Sequence, residues 1–103
     1  MNFIEICKIL ANENRVQMLQ WLKNPERYFL GAEFTADAIN SEGGVCVQAI
    51  TVKSGLAQSV VSNYLNSMKT VGLVSVSCSG KWTYYRYQAQ AVERFLADLQ
   101  QNI

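Results

Sequence analysis

Apolar positions return at helical spacing over several stretches of the chain, and glycine, proline and asparagine separate those stretches. Phe3, Ile4, Cys7, Leu10 and Ala11 predict a first amphipathic helix over about residues 2–10. Asn12 stands where a helix cap is needed and Glu13 falls in the first turn after it. Val16, Leu19 and Leu22 then form the expected inward stripe of a second helix that stops at Asn24–Pro25, with Met18 and Trp21 on a neighbouring stripe. Near the end, Val92, Phe95, Leu96 and Leu99 repeat at i, i+3, i+4 and i+7 and predict a last helix over about residues 90–101.

Between these ends lies a more specific pattern. A short apolar-periodic segment through Ala49 and Ile50 stops at Ser54–Gly55, and another begins at Ala57 or Gln58 and runs to Val71–Gly72. Gly55 supplies positive φ at a steep helix crossing, and Leu56 follows as a plug for the corner. That is a helix-turn-helix. In its second helix Val61, Leu65 and Met68 face inward, leaving Gln58, Ser59, Ser62, Asn63, Asn66 and Lys69 on or near the outer face. Amides, hydroxyls and an ammonium are the groups that bond base edges and phosphates, although a polar outer face also belongs to many helices that bind nothing.

The next residues weigh the choice. Residues 73–78 form an extended run, Ser79–Gly80 turns the chain, and Lys81–Trp82–Thr83–Tyr84–Tyr85–Arg86–Tyr87 returns as a β-branched and aromatic strand. The expected fold is mainly α with a small β-hairpin: a winged helix-turn-helix of order α/α/α/α/β/β/α, one domain over residues 1–103. Its recognition helix falls at about 57–70 and its wing at about 73–87. Gln58 and Ser59 at the helix start, with Lys81 at the wing tip, are the expected phosphate contacts; Asn63, Ser62, Gln58 and Asn66 are the candidate base readers. Trp82, Tyr84, Tyr85 and Tyr87 could stack on bases, but on a hairpin packed against a helical core most of these rings are expected in the core or at its rim.

Charge sharpens this expectation only through its distribution, since the net charge is +1. All acids lie at or before Glu42 or at Glu93 and Asp98, whereas Lys53, Lys69, Lys81 and Arg86 fall in the acid-free stretch between. Few cations imply a modest salt dependence and tight binding only when two subunits act together. No apolar run spans a membrane and the N-terminus does not read as a signal peptide, so the expected location is cytoplasmic. Without a histidine base, a paired-carboxylate motif or a glycine-rich phosphate loop, no enzyme and no cofactor is expected.

Cys7, Cys46 and Cys78 are odd in number and widely spaced, which reads as free thiols. The stretch 24–44 is long for a helix connection, with a short helix expected at about 32–39. Tyr28, Phe29 and Phe34 there either cover the edge of the core or serve a ligand-sensing role. Val45–Cys46–Val47 reads as a short strand or as the start of the next helix.

Four segments carry a family resemblance. Leu10–Ala11–Asn12–Glu13–Asn14–Arg15 with Val16 and Leu19, then residues 55–65, then Val71–Gly72–Leu73–Val74, then Gly80–Lys81–Trp82–Thr83–Tyr84–Tyr85 resemble the ArsR family of bacterial winged-helix repressors, in order and over nearly the whole chain. The resemblance implies a homodimer through the first and last helices that binds an imperfect inverted repeat in double-stranded DNA and is released by a metal, an oxidant or another signal. It carries recognition-helix contacts to Gln58, Ser59, Ser62 and Asn63. Tyr64 stands where the family usually has His and Thr51 where it usually has Ala, departures that bear on the operator sequence.

The family's metal sensors use a Cys-x-Cys pair before the recognition helix, or His and carboxylates on the last helix. This chain has the single Cys46 at the first place and no His, so no metal site is expected. Cys46 with Cys7 is the candidate for thiol or redox sensing, against the alternative of a small core residue. A winged-helix protein-interaction module without DNA binding is the remaining alternative, and the inducer is left open.

Overall fold

Met18, Trp21, Leu22, Ile50, Val61, Leu65, Met68 and Leu73 meet in a hydrophobic core to which nearly every element contributes. The computed structural model describes residues 3–103, so Asn2, the expected start of the first helix, lies outside the described residues. Helix α1 spans Phe3–Leu10, α2 Glu13–Lys23, α3 Pro25–Tyr28, α4 Val47–Ser54, α5 Gln58–Thr70 and α6 Ala89–Asn102. Strands β1 (Val45–Cys46), β2 (Val74–Ser79) and β3 (Trp82–Tyr87) form an antiparallel sheet of order β1-β3-β2.

Local chemistry fixes the boundaries. The Asn12 side chain accepts a hydrogen bond from the Arg15 amide (3.1 Å) and caps α2. Pro25 ends α2 by opening the one-turn α3 at a position where its missing N–H costs nothing. Gly55 sits at φ 72°, the left-handed corner between α4 and α5, and its amide bonds Thr51 O. At the far end of α5 the Leu73 amide returns to Met68 O, which stops the helix and sends the chain into β2.

The inward stripe of α5 is the expected one: Val61, Leu65 and Met68 are fully buried, each contributing on the order of 1.5–3 kcal/mol. In α2 the stripe differs. Met18, Trp21 and Leu22 are buried, whereas Val16 and Leu19 are only half-buried. Helix α2 packs against α1, α5 and β3 together, and that three-sided contact selects the face carrying the two largest side chains. Likewise Ile6 is the residue of α1 that reaches the core, while Ile4 stays exposed.

In the middle of the chain one open choice is settled and one expectation is corrected. Val45 and Cys46 form a strand and Val47 starts α4, so the hairpin gains a third strand through the pairs Val45↔Tyr85 and Cys46↔Tyr84. The helix expected over 32–39 is one 3-10 turn, Ala36–Ala38. This connection lies along β3: the Tyr84 hydroxyl donates to the Asp37 carbonyl (3.1 Å), and a side chain on Gly44 would come within 3.2 Å of Tyr84 Cβ. Phe29 is in the core, edge-on to Trp21 and Phe34 with ring centroids 6.3 and 5.3 Å away.

Candidate nucleic-acid interface

With Val61, Leu65 and Met68 turned into the core, the helical period sets the opposite side of α5 toward solvent. Gln58, Ser59, Asn63, Asn66, Lys69 and Thr70 are exposed there, and Ser62 is half-buried at the edge. At the N-terminus the amides of Val60 and Val61 both bond Ala57 O, while Gln58 and Ser59 lie in the positive end of the helix dipole. The Ser67 and Thr70 hydroxyls bond back to Asn63 O and Asn66 O and are thereby partly engaged.

Asn66 is held by the sheet. Tyr85, buried at the centre of β3, donates its hydroxyl to Asn66 Oδ1 at 3.0 Å and leaves the Nδ2 protons of that amide pointing elsewhere. On the opposite flank of α5, Tyr64 stacks under the Arg15 guanidinium, 5.0 Å from the ring centroid, and Arg15 Nη1 reaches Ile9 O (3.3 Å). Helix α5 is thus braced by the sheet on one side and by α2 on the other.

The wing tip is the turn Gly80–Lys81 between β2 and β3. Lys81 is exposed with its Nζ 5.2 Å from the Trp82 ring, a resting place from which a long side chain readily leaves. Tyr84 and Tyr85 are buried on opposite faces of β3, and Trp82 and Tyr87 are half-buried, in line with the core-or-rim expectation.

The cations of the acid-free stretch do not all share this face. Lys53 is turned toward α2 and α3, where its Nζ lies 5.4 Å from Trp21, 5.3 Å from Tyr28 and 6.0 Å from Phe29. Its charge belongs to that aromatic enclosure, which leaves Lys69, Lys81 and Arg86 exposed. Val60, 38% exposed beside Ser59, is an apolar group on the outer side of α5 that an inventory of polar residues passes over. The signal for it is a β-branched residue lying off the 61/65/68 stripe.

The sensing candidates are not brought together by a bond. All three cysteines are free thiols: Cys7 is half-buried on α1, Cys78 exposed on β2, and Cys46 buried on β1 with its thiol donating to the Gln48 side-chain oxygen. Among the described residues no group of three or more His, Cys, Asp or Glu is placed to hold a metal ion, and no helix is long and apolar enough to cross a membrane.

An outward amide face braced against a three-stranded wing is the geometry of known transcription regulators. No family model matches the chain. It is 43% identical over 95 residues to YbzH of Bacillus subtilis, an uncharacterised HTH-type transcriptional regulator, covering 92% of this chain and 91% of YbzH. It is 36% identical over 70 residues to ArsR2 of Halobacterium salinarum, named as an arsenical resistance operon repressor, covering 68% of this chain and 56% of ArsR2. Among solved structures it superposes with TM-score 0.64 and 25% identity on the homodimeric winged helix-turn-helix DNA-binding domain Mb0332 of Mycobacterium bovis, covering 96% of this chain and 77% of that one. A protein described as a possible transcriptional regulator for arsenical resistance shares the fold with TM-score 0.68 at 19% identity, over 91% of this chain and 79% of the other. The chain belongs to the ArsR family of winged helix-turn-helix DNA-binding transcriptional regulators.

Proposed function

We propose that this chain is a single DNA-binding domain that acts in the cytoplasm as a homodimeric repressor on an inverted-repeat operator, with no catalytic role. The observation that carries the reading is the outer side of α5. There Gln58, Ser59 and Asn63 stand exposed, the wing tip carries the exposed cation Lys81, and the sequence has no carboxylate from Gly43 to Val92.

Two copies set their α5 helices about 34 Å apart, one turn of duplex, so that each enters a successive major groove. Gln58 and Ser59 at the helix start and Lys81 at the wing hold phosphates and fix the register. Asn63 and Ser62 read base edges, Gln58 assists, and Asn66 offers only its Nδ2 donors because Tyr85 occupies its oxygen. Dimerisation through α1 and α6 is supported by their packing against each other and by the apolar residues they leave uncovered, Ile4 at 48% and Leu96 at 54% exposure.

Selection of bound duplexes from a random pool tests the reading. The expected outcome is an inverted repeat whose half-site centres are about 10–10.5 base pairs apart. A pool that stays unenriched favours the protein-interaction alternative and removes the DNA-reading one.

A further inference from the structure

A cavity of about 190 Å³ lies away from the outer side of α5, between the 33–38 segment, the first two turns of α4 and the start of β3. Its walls are mostly apolar. Phe34 and Trp82 supply rings, and Ala38, Ala49 and Val52 supply aliphatic surface. Cys46 and Gln48 lie in the wall, their side chains bonded to each other. The charged residues lining it are Glu33 and Asp37, and no lysine or arginine lines it.

Size, rings and charge narrow the occupant. A closed apolar cavity of about 150 Å³ accepts benzene; this one, open to solvent along Glu33, Thr35, Asp37, Gln48 and Val52, has comparable room for a single ring with its substituent at the mouth. Glu33 and Asp37, both exposed, favour a positively charged substituent over an anion, and the Lys81 ammonium over the Trp82 ring offsets part of that preference. Indole and phenyl faces attract the same charge. We infer that the cavity binds a small single-ring aromatic amine and that its occupation is felt at the wing.

The connection to the wing is Trp82. Trp82 is one of the residues lining the cavity, and its ring carries the Lys81 ammonium at 5.2 Å. A second cation on the same indole repels the first, so a filled cavity and a resting Lys81 compete for one ring. Lys81 then shifts, and with it the phosphate contact assigned above; this second half rests on the proposed function, whereas binding to the cavity does not.

Benzylamine, benzyl alcohol and benzoate share one ring and differ in charge, which makes them suitable probes. Titrated into the free protein and followed at the Trp82 indole N–H by NMR, benzylamine is expected to give a saturable shift. Benzyl alcohol is expected to bind severalfold more weakly and benzoate more than about tenfold more weakly. Val52→Trp, at a position 60% exposed on α4, fills the cavity without disturbing the core and abolishes the shift. Asp37→Asn removes most of the preference for the amine over the alcohol. No saturable shift, a shift that survives Val52→Trp, or equal affinity for all three probes overturns the site. In gel shifts on a selected duplex, benzylamine is expected to change the affinity of the wild-type protein severalfold and that of the Val52→Trp protein not at all. Binding that leaves DNA affinity unchanged overturns the coupling to the wing. If no duplex is bound in the absence of amine, the regulator reading fails while the titration still decides the cavity.

Discussion

The Tyr85 hydroxyl donates to Asn66 Oδ1 at 3.0 Å, joining the central strand of the wing sheet to the helix proposed to read DNA. Asn66 is exposed and Tyr85 buried, so the bond fixes a solvent-facing amide from inside the protein. Tyr85→Phe keeps the ring in its place and removes only the hydroxyl. The expected loss is about 1 kcal/mol of stability, read as a lower denaturant midpoint with unchanged slope. With the amide of Asn66 free to rotate, discrimination at the base pair it faces also relaxes, whereas Asn66→Ala abolishes that discrimination. A Tyr85→Phe protein with wild-type stability and wild-type selectivity removes the bracing role.

Base reading and phosphate holding are separable by measurement. Asn63→Ala is expected to cost about 1–3 kcal/mol on the preferred operator and to relax one position of the selected sequence. Lys81→Ala is expected to weaken all sequences alike and to lower the salt slope by about 1. Lys53→Ala serves as the control: its ammonium is enclosed by Trp21, Tyr28 and Phe29, so the salt slope stays where it was while stability falls. A salt slope that drops for Lys53→Ala moves the electrostatic face to the other side of α4.

Arg15 stands over the Tyr64 ring at 5.0 Å, and its Nε is buried without a hydrogen-bond partner. The ring therefore supplies an attraction that the guanidinium does not find in a conventional acceptor at that atom. Tyr64→Leu preserves apolar packing between α2 and α5 but withdraws the π face, at an expected cost of about 0.5–2 kcal/mol. The double variant Arg15→Met with Tyr64→Leu closes a thermodynamic cycle. A coupling energy indistinguishable from zero shows the stacking to be incidental.

What was legible in the sequence is what local physics decides. Val61, Leu65 and Met68 recur at the helical period, Gly55 marks the one left-handed corner between α4 and α5, and Gly80 marks the hairpin, so the helix-turn-helix and wing followed from spacing alone. The rest depended on partners distant in the chain. Strand β1 is two residues long and exists because Tyr84 and Tyr85 offer it an edge. The α2 stripe could be chosen only once α1, α5 and β3 stood around it. Lys53 lies in the acid-free stretch of the sequence, but the fold brings Trp21 and residues 28–29 to it, 24 or more positions away in the sequence. The helical period predicts that Asn66 is exposed, as it is, but the hydroxyl that holds it comes from a strand that periodicity does not locate.

Three tyrosines of β3 are expected to make stability fall at alkaline pH. Burial holds the phenols of Tyr84, Tyr85 and Tyr87 above their ordinary value of about 10, with Cys46 and Asp37 adding to the effect at Tyr84, Cys78 at Tyr85 and Glu93 at Tyr87. The unfolded chain therefore sheds these protons at a pH where the folded chain keeps them. Stability is complete below the unfolded value and is lost as pH rises through the folded ones. Urea midpoints are expected to stay level up to about pH 9 and to fall above about pH 10, with a shallower fall for Tyr85→Phe. A midpoint that rises above pH 10 contradicts the assignment.

Leu96 decides whether the terminal helices make the dimer. It lies on α6, which packs against α1, and is 54% exposed, as Ile4 on α1 is 48% exposed. In a lone subunit Leu96→Asp replaces a largely solvated side chain, so its cost to subunit stability is expected to stay within about 0.5 kcal/mol. In a two-fold interface the same change buries two carboxylates, one from each copy, in apolar surroundings, where an unpaired charge costs several kcal/mol. The expected result is a solution mass that falls by half and an unfolding midpoint that no longer depends on protein concentration, together with loss of binding to a full inverted repeat. Binding to an isolated half-site should stay near its weak wild-type level, since each α5 still presents Gln58 and Asn63. A Leu96→Asp protein that keeps the mass and operator affinity of the wild type places the two-fold contact elsewhere. The half-buried Val16 and Leu19 on α2 are then the next apolar surface to test.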